Sequence, residues 1–385
     1  MAGRIAVVID PWNYPYNGTV VSTRRFVAAL TQAGYEFQIL SLAAPDLPGK
    51  EAFEKLSIPG FNRIIDTMRA PLARPGRAKL RSLLTGCDLL HVQYPFFLAH
   101  AAIGEARRLG IPVVCSFHVQ PENILQNIRL PSRLLSNLLY RLFIRFIYSR
   151  ADQVIAPSSF AAGLLTRHGL NRPVAVVSNG VPDRFFGVAR SPRPEQGFLL
   201  LSVGRLAREK QQETLLHAVA LSRHRADITV VLAGVGPRQA YLERLAARLK
   251  VNARIGWVDD EALLELHGQA DLFVHTGTIE LEGMSVLEAM ATGNVVVVSD
   301  ASASACAAMI HEAHARFRKG DSADLAERID YWLARPEARA AQQRFNRLYA
   351  QSLSHDKVSG RLMSLYEEML RETVTGLEPR MNGTS

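Results

Sequence analysis

At 385 residues the chain is too long for one ordinary domain and suits two of roughly 150–200 residues each. Hydrophobic residues make up 48% and mean hydropathy is +0.02, enough for two sizeable cores, and no apolar run reaches the ~20 residues that span a bilayer. The formal charge of +9 sits in the N-terminal half, where residues 1–185 hold 21 Lys and Arg against 11 Asp and Glu, so an anionic partner is expected there, nucleic acid or an acidic membrane surface.

Arg4–Asp10 is a buried, β-branched strand that starts beside Met1, so no signal peptide is expected. Pro11–Gly18 is the loop after it, Thr23–Ala33 a helix stopped by Gly34, and Tyr35–Leu42 a second strand. Such a β-loop-α-β opening is a right-handed parallel unit. Asn17-Gly18 is either a plain turn or a point where backbone passes close to a ligand. Arg69–Arg81 (RAPLARPGRAKLR) is basic and broken by proline and glycine, and reads as mobile. Leu89–Gln93 and Pro112–Phe117 are short apolar strands on either side of a helix, Phe97–Leu109. The second delivers FHVQPEN, with His118 at its carboxyl end. An imidazole there can hydrogen-bond a ligand hydroxyl or stabilise developing charge; a histidine that only caps a strand end is the plain alternative. Gln120, Glu122 and Asn123 share that loop, and His91, in the preceding strand, has a supporting role.

In SRLLSNLLYRLFIRFIYSR, Arg133, Asn137, Arg141, Arg145 and Ser149 recur every four residues and form one narrow polar stripe on a helix. Nearly everything else there is Leu, Phe, Ile or Tyr. Two readings stand: a helix at an anionic bilayer interface, its cations edging apolar surface, or an interior helix with three arginines reaching outward. No nucleic-acid fold signature occurs, so the basic half is assigned to a membrane rather than to RNA or DNA. The three cysteines, Cys87, Cys115 and Cys306, are far apart and form no Cys-x-x-Cys or Cys/His cluster. That argues against disulfide and metal roles and for a reducing cytosol.

Gln153–Ala156 is a strand, Ser158-Ser159 caps a helix running to His168, and Val174–Ser178 leads into the turn Asn179-Gly180-Val181. Gly187–Gly197 (GVARSPRPEQG) reads as the linker, giving domains at 1–188 and 189–356. A last helix spans Lys357–Arg371, and residues 376–385 form a disordered tail. The second domain opens with strand Phe198–Val203 and then Gly204-Arg205-Leu206-Ala207-Arg208-Glu209-Lys210. A glycine at a strand end followed by Arg and Lys suits a diphosphate. Gly234-Val235-Gly236-Pro237 follows strand Thr229–Ala233 but lacks the third glycine of a dinucleotide fingerprint, which disfavours an NAD-linked enzyme. Arg254–Val258 is one more strand.

Residues 271–299 organise this half. Leu272–Val274 is a strand, a short helix starts near Met284 and stops at Gly293, and Val295–Val298 is a second buried strand. Ligands of open α/β sheets sit outside the carboxyl ends of the strands. The N–H groups of Gly283, Met284 and Ser285 at the helix start suit phosphate. Glu288, one turn in, would repel that anion but can accept from paired hydroxyls such as a ribose diol. Glu280, at the mouth of the loop, can meet a second hydroxylated group. Phosphate between ribose and sugar describes a nucleotide-sugar; a solvated loop acid and a capping acid are the plain alternative. After Asp300, ASASACAAMIHEA reads as a small-residue loop, with Ser302 and Ser304 as spare hydroxyls.

A Glu, seven residues and a second Glu, Glu280 and Glu288 within ELEGMSVLEAMATG, resembles the signature of retaining GT-B glycosyltransferases of family 4. Asn179-Gly180-Val181, before the hinge, and Gly204-Arg205 with Glu209-Lys210 match the same pattern. The resemblance covers residues 4–371 and implies an α/β fold of two Rossmann-like parallel-sheet domains facing across a cleft. It also implies a last helix crossing back onto the first domain and a nucleotide-sugar held mainly by the second. By the same resemblance, Gly18 lies in the loop facing the donor phosphate and acceptor, and His118 contacts the donor sugar. Arg205 and Lys210 hold the diphosphate beside Gly204, and Glu280 meets the sugar, with Gly283, Met284, Ser285 and Glu288 completing the donor site. Family members need no metal, the leaving phosphate takes the acceptor proton, and no Asp-x-Asp occurs here, so no cofactor is expected. Glu282 stands where members often carry an aromatic or small residue, placing extra negative charge beside the donor sugar.

FHVQPEN and ELEGMSVLEAMATG look closest to the subgroup that glucosylates diacylglycerol. With the basic N-terminal half, this implies a UDP-glucose type donor and a membrane lipid acceptor. Arg133, Arg141 and Arg145 would contact an anionic surface, and the enzyme would be cytoplasmic and peripheral on the inner face of the membrane. The alternatives are a polyprenyl-linked or polysaccharide acceptor, a nucleotide-sugar 2-epimerase, or a nucleotide-sugar-binding protein without turnover.

Overall fold

The structure, a computed structural model, describes residues 3–13, 17–42, 50–57, 71–128, 130–191 and 196–376. The chain forms two compact units, Met1–Asn179 with Asp356–Ser385, and Gly180–His355.

The first unit is built on a parallel sheet in the order β3-β2-β1-β4-β5-β6-β7. Its strands are β1 (Arg4–Val8), β2 (Glu36–Ser41), β3 (Lys50–Ala52), β4 (Leu89–Val92), β5 (Val113–Ser116), β6 (Gln153–Ala156) and β7 (Val174–Val176). The central strands read as unbroken apolar runs because helices cover both faces of a parallel sheet; LLHV and VVCS are buried at every position. Strand order reverses at β1, so the carboxyl ends of β1 and β4 form the switch point where ligands of such sheets bind. The last helix, His355–Gly376, spends Val358, Leu362, Tyr366 and Met369 on this unit's core. Tyr366 Oη lies 2.5 Å from His91 Nδ1, and His91 Nε2 lies 2.7 Å from Ser116 Oγ. His91 is therefore a core tie between β4, β5 and the last helix, with no ring nitrogen left for a ligand. Burial, then His118, push its pKa down to about 3.

Two expectations change here. The first helix starts at Gly18, not Thr23: the Asn17 side chain accepts from the N–H groups of Thr19 and Val20, so Asn17-Gly18 is a helix cap rather than a turn. Within the basic stretch, residues 69 and 70 lie outside the described residues, and Arg77–Leu84 is a helix with Leu80 and Leu84 buried. Pro75 and Gly76 precede that helix, so they delimit it instead of breaking it.

The second unit carries a parallel sheet in the order β10-β9-β8-β11-β13-β15. These are β8 (Phe198–Val203), β9 (Ile228–Ala233), β10 (Asn252–Gly256), β11 (Leu272–His275), β13 (Val295–Ser299) and β15 (Arg316–Phe317). Its switch point lies between β8 and β11. A separate parallel pair joins β12 (Ile279–Glu280) to β14 (Ala303–Ser304). The stretch expected to be a small-residue loop is thus a strand followed by a helical turn, Cys306–Met309. Ser304 is buried, and its Oγ accepts from the Cys306 N–H at 3.3 Å, so it is not a spare hydroxyl. Of the expected linker, residues 192–195 lie outside the described residues. The part before them is tied to the second unit, by Ser191 N–H to the Gly268 carbonyl and Arg347 Nη2 to the Val188 carbonyl. Residues 377–385, most of the expected tail, also lie outside the described residues.

The turn after β9 is glycine-rich for packing reasons. Gly234 has φ +155°, and a Cβ there would overlap the Gly204 carbonyl. The Gly204 N–H donates to the Ala233 carbonyl, and the Gly234 N–H to the Gly256 carbonyl. Gly234→Ala is expected to cost about 2 kcal/mol or more in urea unfolding, from strained backbone plus displaced carbonyl. An unchanged unfolding midpoint would show that the two loops separate freely.

Candidate active site

The second unit brings the chemistry-bearing residues together at its switch point. From the carboxyl end of β8 the chain passes Gly204, whose φ of +148° turns it sharply, and reaches a 3-10 turn, Arg208–Lys210. Gln211 then takes the left-handed conformation (φ +46°) and starts the helix Gln212–Leu221. This segment is pinned to the loop after β11: Thr276 Oγ1 donates to the Lys210 carbonyl at 2.6 Å and the Thr278 N–H to the Glu209 carbonyl at 2.9 Å. Lys210 and Glu280, 70 residues apart, therefore meet. Lys210 Nζ donates to Glu280 Oε1, and His275 Nε2 lies 3.2 Å from the same oxygen.

The electrostatics follow from burial and pairing. Burial works against the Glu280 carboxylate, but Lys210 and His275 outweigh it and bring its pKa down to about 2. Burial likewise opposes the Lys210 ammonium, and Glu280, with Cys306 and Glu209, outweighs that and raises its pKa. For His275, burial favours the neutral ring, yet the Cys306 sulfur and Glu280 raise its pKa to about 9. Near neutral pH the site thus holds an anion between two cations.

The helix Met284–Ala291 begins beside this cluster. Its cap is Gly283, with φ +86° and no side-chain hydrogen bond, so the Met284 and Ser285 N–H groups have no partner among the described residues. A Cβ on Gly283 would overlap Cys306 Sγ. Glu288 sits one turn in, half-buried. Arg205 is about one-third exposed, with its guanidinium 4.0 Å from Glu209. Arg205, Lys210, Glu280, Met284, Ser285 and Glu288 thus belong to one region, with one adjustment: Lys210 is committed to Glu280 rather than standing alone. Glu282 departs from its expected place. It is 4% exposed, and its charge, after burial, pushes up the Tyr349 phenol, so it faces the Pro336–Gln351 helix.

In the first unit, His118 lies two residues past β5, half-buried, and neither ring nitrogen bonds another described residue. Burial pushes its pKa down to about 4, so it is a neutral imidazole at neutral pH. Glu122 and Asn123, expected to share its loop, lie instead on the helix Pro121–Asn127, capped by Gln120, and are engaged locally: Glu122 accepts from Tyr140 Oη at 3.0 Å, and Asn123 accepts from Asn127. Gly18 heads its helix, whose next two N–H groups are taken by Asn17. The helix Arg133–Phe146 buries Ser136, Tyr140 and Ile144 and turns Leu134, Leu138, Leu142 and Phe146 outward, 81%, 50%, 39% and 45% exposed. Arg141 and Arg145 are exposed on the same outer arc, Arg133 is exposed as the first residue of the helix but in line with the buried row, and Ser149 belongs to a separate 3-10 turn. An interior helix does not fit this exposure. Among the described residues no helix is long and apolar enough to cross a membrane.

Sequence reasoning missed His275, Cys306 and Gly277. The rule that singles out His118, an imidazole at a strand's carboxyl end, applies equally to His275. Nothing local points to Cys306, which reaches the site only through the β12–β14 pairing.

A GDP-mannose-dependent alpha-mannosyltransferase of Mycolicibacterium smegmatis is 28% identical over 324 residues, covering 77% of this chain and 80% of that protein. An alpha-monoglucosyldiacylglycerol synthase of Streptococcus pneumoniae is 25% identical over 317 residues, covering 76% and 70%. A sucrose-phosphate synthase structure from Thermosynechococcus elongatus superposes with a TM-score of 0.76 at 18% identity, over 96% of this chain and all of that one, which shows the GT-B fold. Residues 16–185 match the Glycosyltransferase Family 4 domain and residues 184–348 the Glycosyl transferases group 1 domain, and with both halves matched the chain belongs to the family 4, group 1 glycosyltransferases of the GT-B fold.

Proposed function

We propose that this glycosyltransferase moves a hexose, with retention of anomeric configuration, from a nucleoside-diphosphate sugar to a membrane lipid. The observation that carries the donor half is the Lys210–Glu280 pair beside the open N-terminus of the Met284–Ala291 helix. A cation and unpartnered amides suit a diphosphate, and a carboxylate with one oxygen anchored offers the other to a sugar hydroxyl. As the bond from the sugar C1 to the phosphate oxygen breaks, its electron pair passes to the diphosphate, where Arg205, Lys210 and the Met284 and Ser285 amides offset the growing charge. The acceptor hydroxyl oxygen bonds C1, and its proton goes to the departing phosphate oxygen. No metal or other cofactor has a part in this reading. His118, with both ring nitrogens unused among the described residues, keeps the donor-sugar role that the resemblance gives it.

The lipid half rests on the outward leucines and arginines of the Arg133–Phe146 helix. They suit an anionic bilayer surface, reached from the cytoplasm by a peripheral enzyme. UDP-glucose with diacylglycerol is the first donor and acceptor pair. GDP-mannose is the second donor reading, favoured by the mannosyltransferase relative at 28% identity against 25% for the glucosyltransferase.

The test is nucleoside-diphosphate release from UDP-glucose and from GDP-mannose, each with and without diacylglycerol in anionic vesicles. Lipid-dependent UDP release from UDP-glucose is the expected result. Lipid-dependent GDP release would move the donor to GDP-mannose. Release from neither donor under any condition would overturn the proposal.

A further inference from the structure

We propose that His275 is a positioning residue of the donor site: it shares Glu280 Oε1 with Lys210, so that one carboxylate oxygen is held from within and the Lys210 charge is left over for the leaving diphosphate. This rests on the reading of Glu280 and Lys210 as donor residues and adds a residue that neither the motif nor the resemblance names.

His275 ends β11, and its side chain is 2% exposed. Nε2 is 3.2 Å from Glu280 Oε1 and has no hydrogen-bond partner among the described residues, so the two form an ion pair when the ring is protonated. The chain keeps room for this arrangement. A Cβ on Gly277 would stand 2.5 Å from His275 Nε2 and 3.3 Å from Glu280 Oε1. The glycine that begins the loop toward Glu280 is thus bare where the imidazole meets the carboxylate.

The charge balance gives the arrangement its purpose. Lys210 and Glu280 alone cancel. With His275 protonated, two cations share that one carboxylate oxygen next to the helix start. A departing diphosphate gains negative charge as the sugar bond breaks, so the excess is felt more in the transition state than in the bound donor. Three groups face His275: Glu280 from β12, Lys210 from the 3-10 turn, and Cys306 from the Cys306–Met309 turn, with Glu209 behind Lys210. Burial alone would deprotonate the ring; Cys306 and Glu280 hold its pKa at about 9. Protonation is therefore complete near neutral pH and is lost as pH rises through that value.

The experiment measures kcat and KM for UDP-glucose and GDP-mannose across the alkaline range, for wild type, His275→Gln, Cys306→Ala, Glu280→Ala and Lys210→Ala. For wild type, kcat should fall above about pH 9. His275→Gln should lower kcat at neutral pH by about tenfold while changing the donor KM by less than about threefold, and should lack the alkaline fall. Cys306→Ala removes a group that raises the His275 pKa, so the fall should move to lower pH; if the fall disappears in that variant, the titrating group is the thiol and the inference is overturned. Wild-type kcat and pH profile in His275→Gln also overturn it, provided Glu280→Ala and Lys210→Ala lose turnover. If those two keep full turnover, the donor-site reading itself has failed. Should His275→Gln not fold, the wild-type and Cys306→Ala profiles decide alone.

Discussion

Lys210→Ala is expected to lower kcat/KM for the nucleotide-sugar by about 10²–10³-fold, the range for removing one preorganised group that stabilises developing charge. Glu280→Ala is expected to cost about 10²-fold, the equivalent of one hydrogen bond to a charged group plus the loss of its orienting partner. The two losses should not add. Lys210 and Glu280 touch, so the double variant should fall little below the worse single one, whereas independent residues would multiply their effects. Stability must be followed alongside. Side chains of the pair are only 20% and 16% exposed, so removing one partner strands the other in a poorly solvated place. His275 limits that penalty for Glu280 in Lys210→Ala, since it remains 3.2 Å from Oε1. Glu280→Gln, which keeps the shape and removes the charge, separates the two effects: a normal melting temperature with lost turnover assigns the carboxylate to the reaction. Full activity in any of these variants would remove that residue from the site.

The parts of this site that could be read from the sequence are those set by local rules. Val295 to Val298 is a run of four valines, and Gly293, with φ +76°, stops the helix before it. Gly204 at a strand end and Lys210 ahead of a helix mark the loop after β8 by residue type alone. Glu280 and Glu288 are eight positions apart, so their relation is fixed by one strand end and one helix start. What was not legible depends on contacts distant in sequence. Cys306 matters because β12 pairs with β14 and seats its sulfur against Gly283. Glu282 reads as a loop acid until the Pro336–Gln351 helix is present to bury it. His91, at a strand's carboxyl end like His118, differs only in having Tyr366 and Ser116 within reach, and Tyr366 is 275 residues away. Local propensity starts the first helix five residues late, because Thr19, Val20 and Val21 are β-branched and weak helix formers. The Asn17 cap supplies what their propensity does not.

Replacing Arg133, Arg141 and Arg145 together by Gln is expected to weaken binding to anionic vesicles by about 100-fold at low salt, at roughly 1 kcal/mol for each cation near such a surface. The difference should shrink as salt rises, because the Debye length falls to about 8 Å at physiological ionic strength. Leu134, Leu138 and Leu142 recur every four residues and form one outward row, so changing all three to Ser removes the apolar half of the contact. That variant should lose vesicle binding at every salt concentration, since cations alone hold a surface weakly once they are screened. Neither set touches the row that seats the helix, Ser136, Tyr140 and Ile144, so the fold should remain and the melting temperature should stay within a few degrees of wild type. The two variants also separate a lipid surface from a protein partner. A bilayer responds to the proportion of anionic lipid, and binding to neutral vesicles should then be weak for wild type and arginine variant alike. Vesicle binding unchanged by either set would remove the membrane from the function of this helix. Turnover on a water-soluble acceptor, or donor hydrolysis alone, should be untouched by both sets, because none of these side chains belongs to the donor site in the second unit. Turnover on lipid in vesicles should fall in step with binding, and a fall in both activities together would mean that the helix acts on the fold and not on the surface.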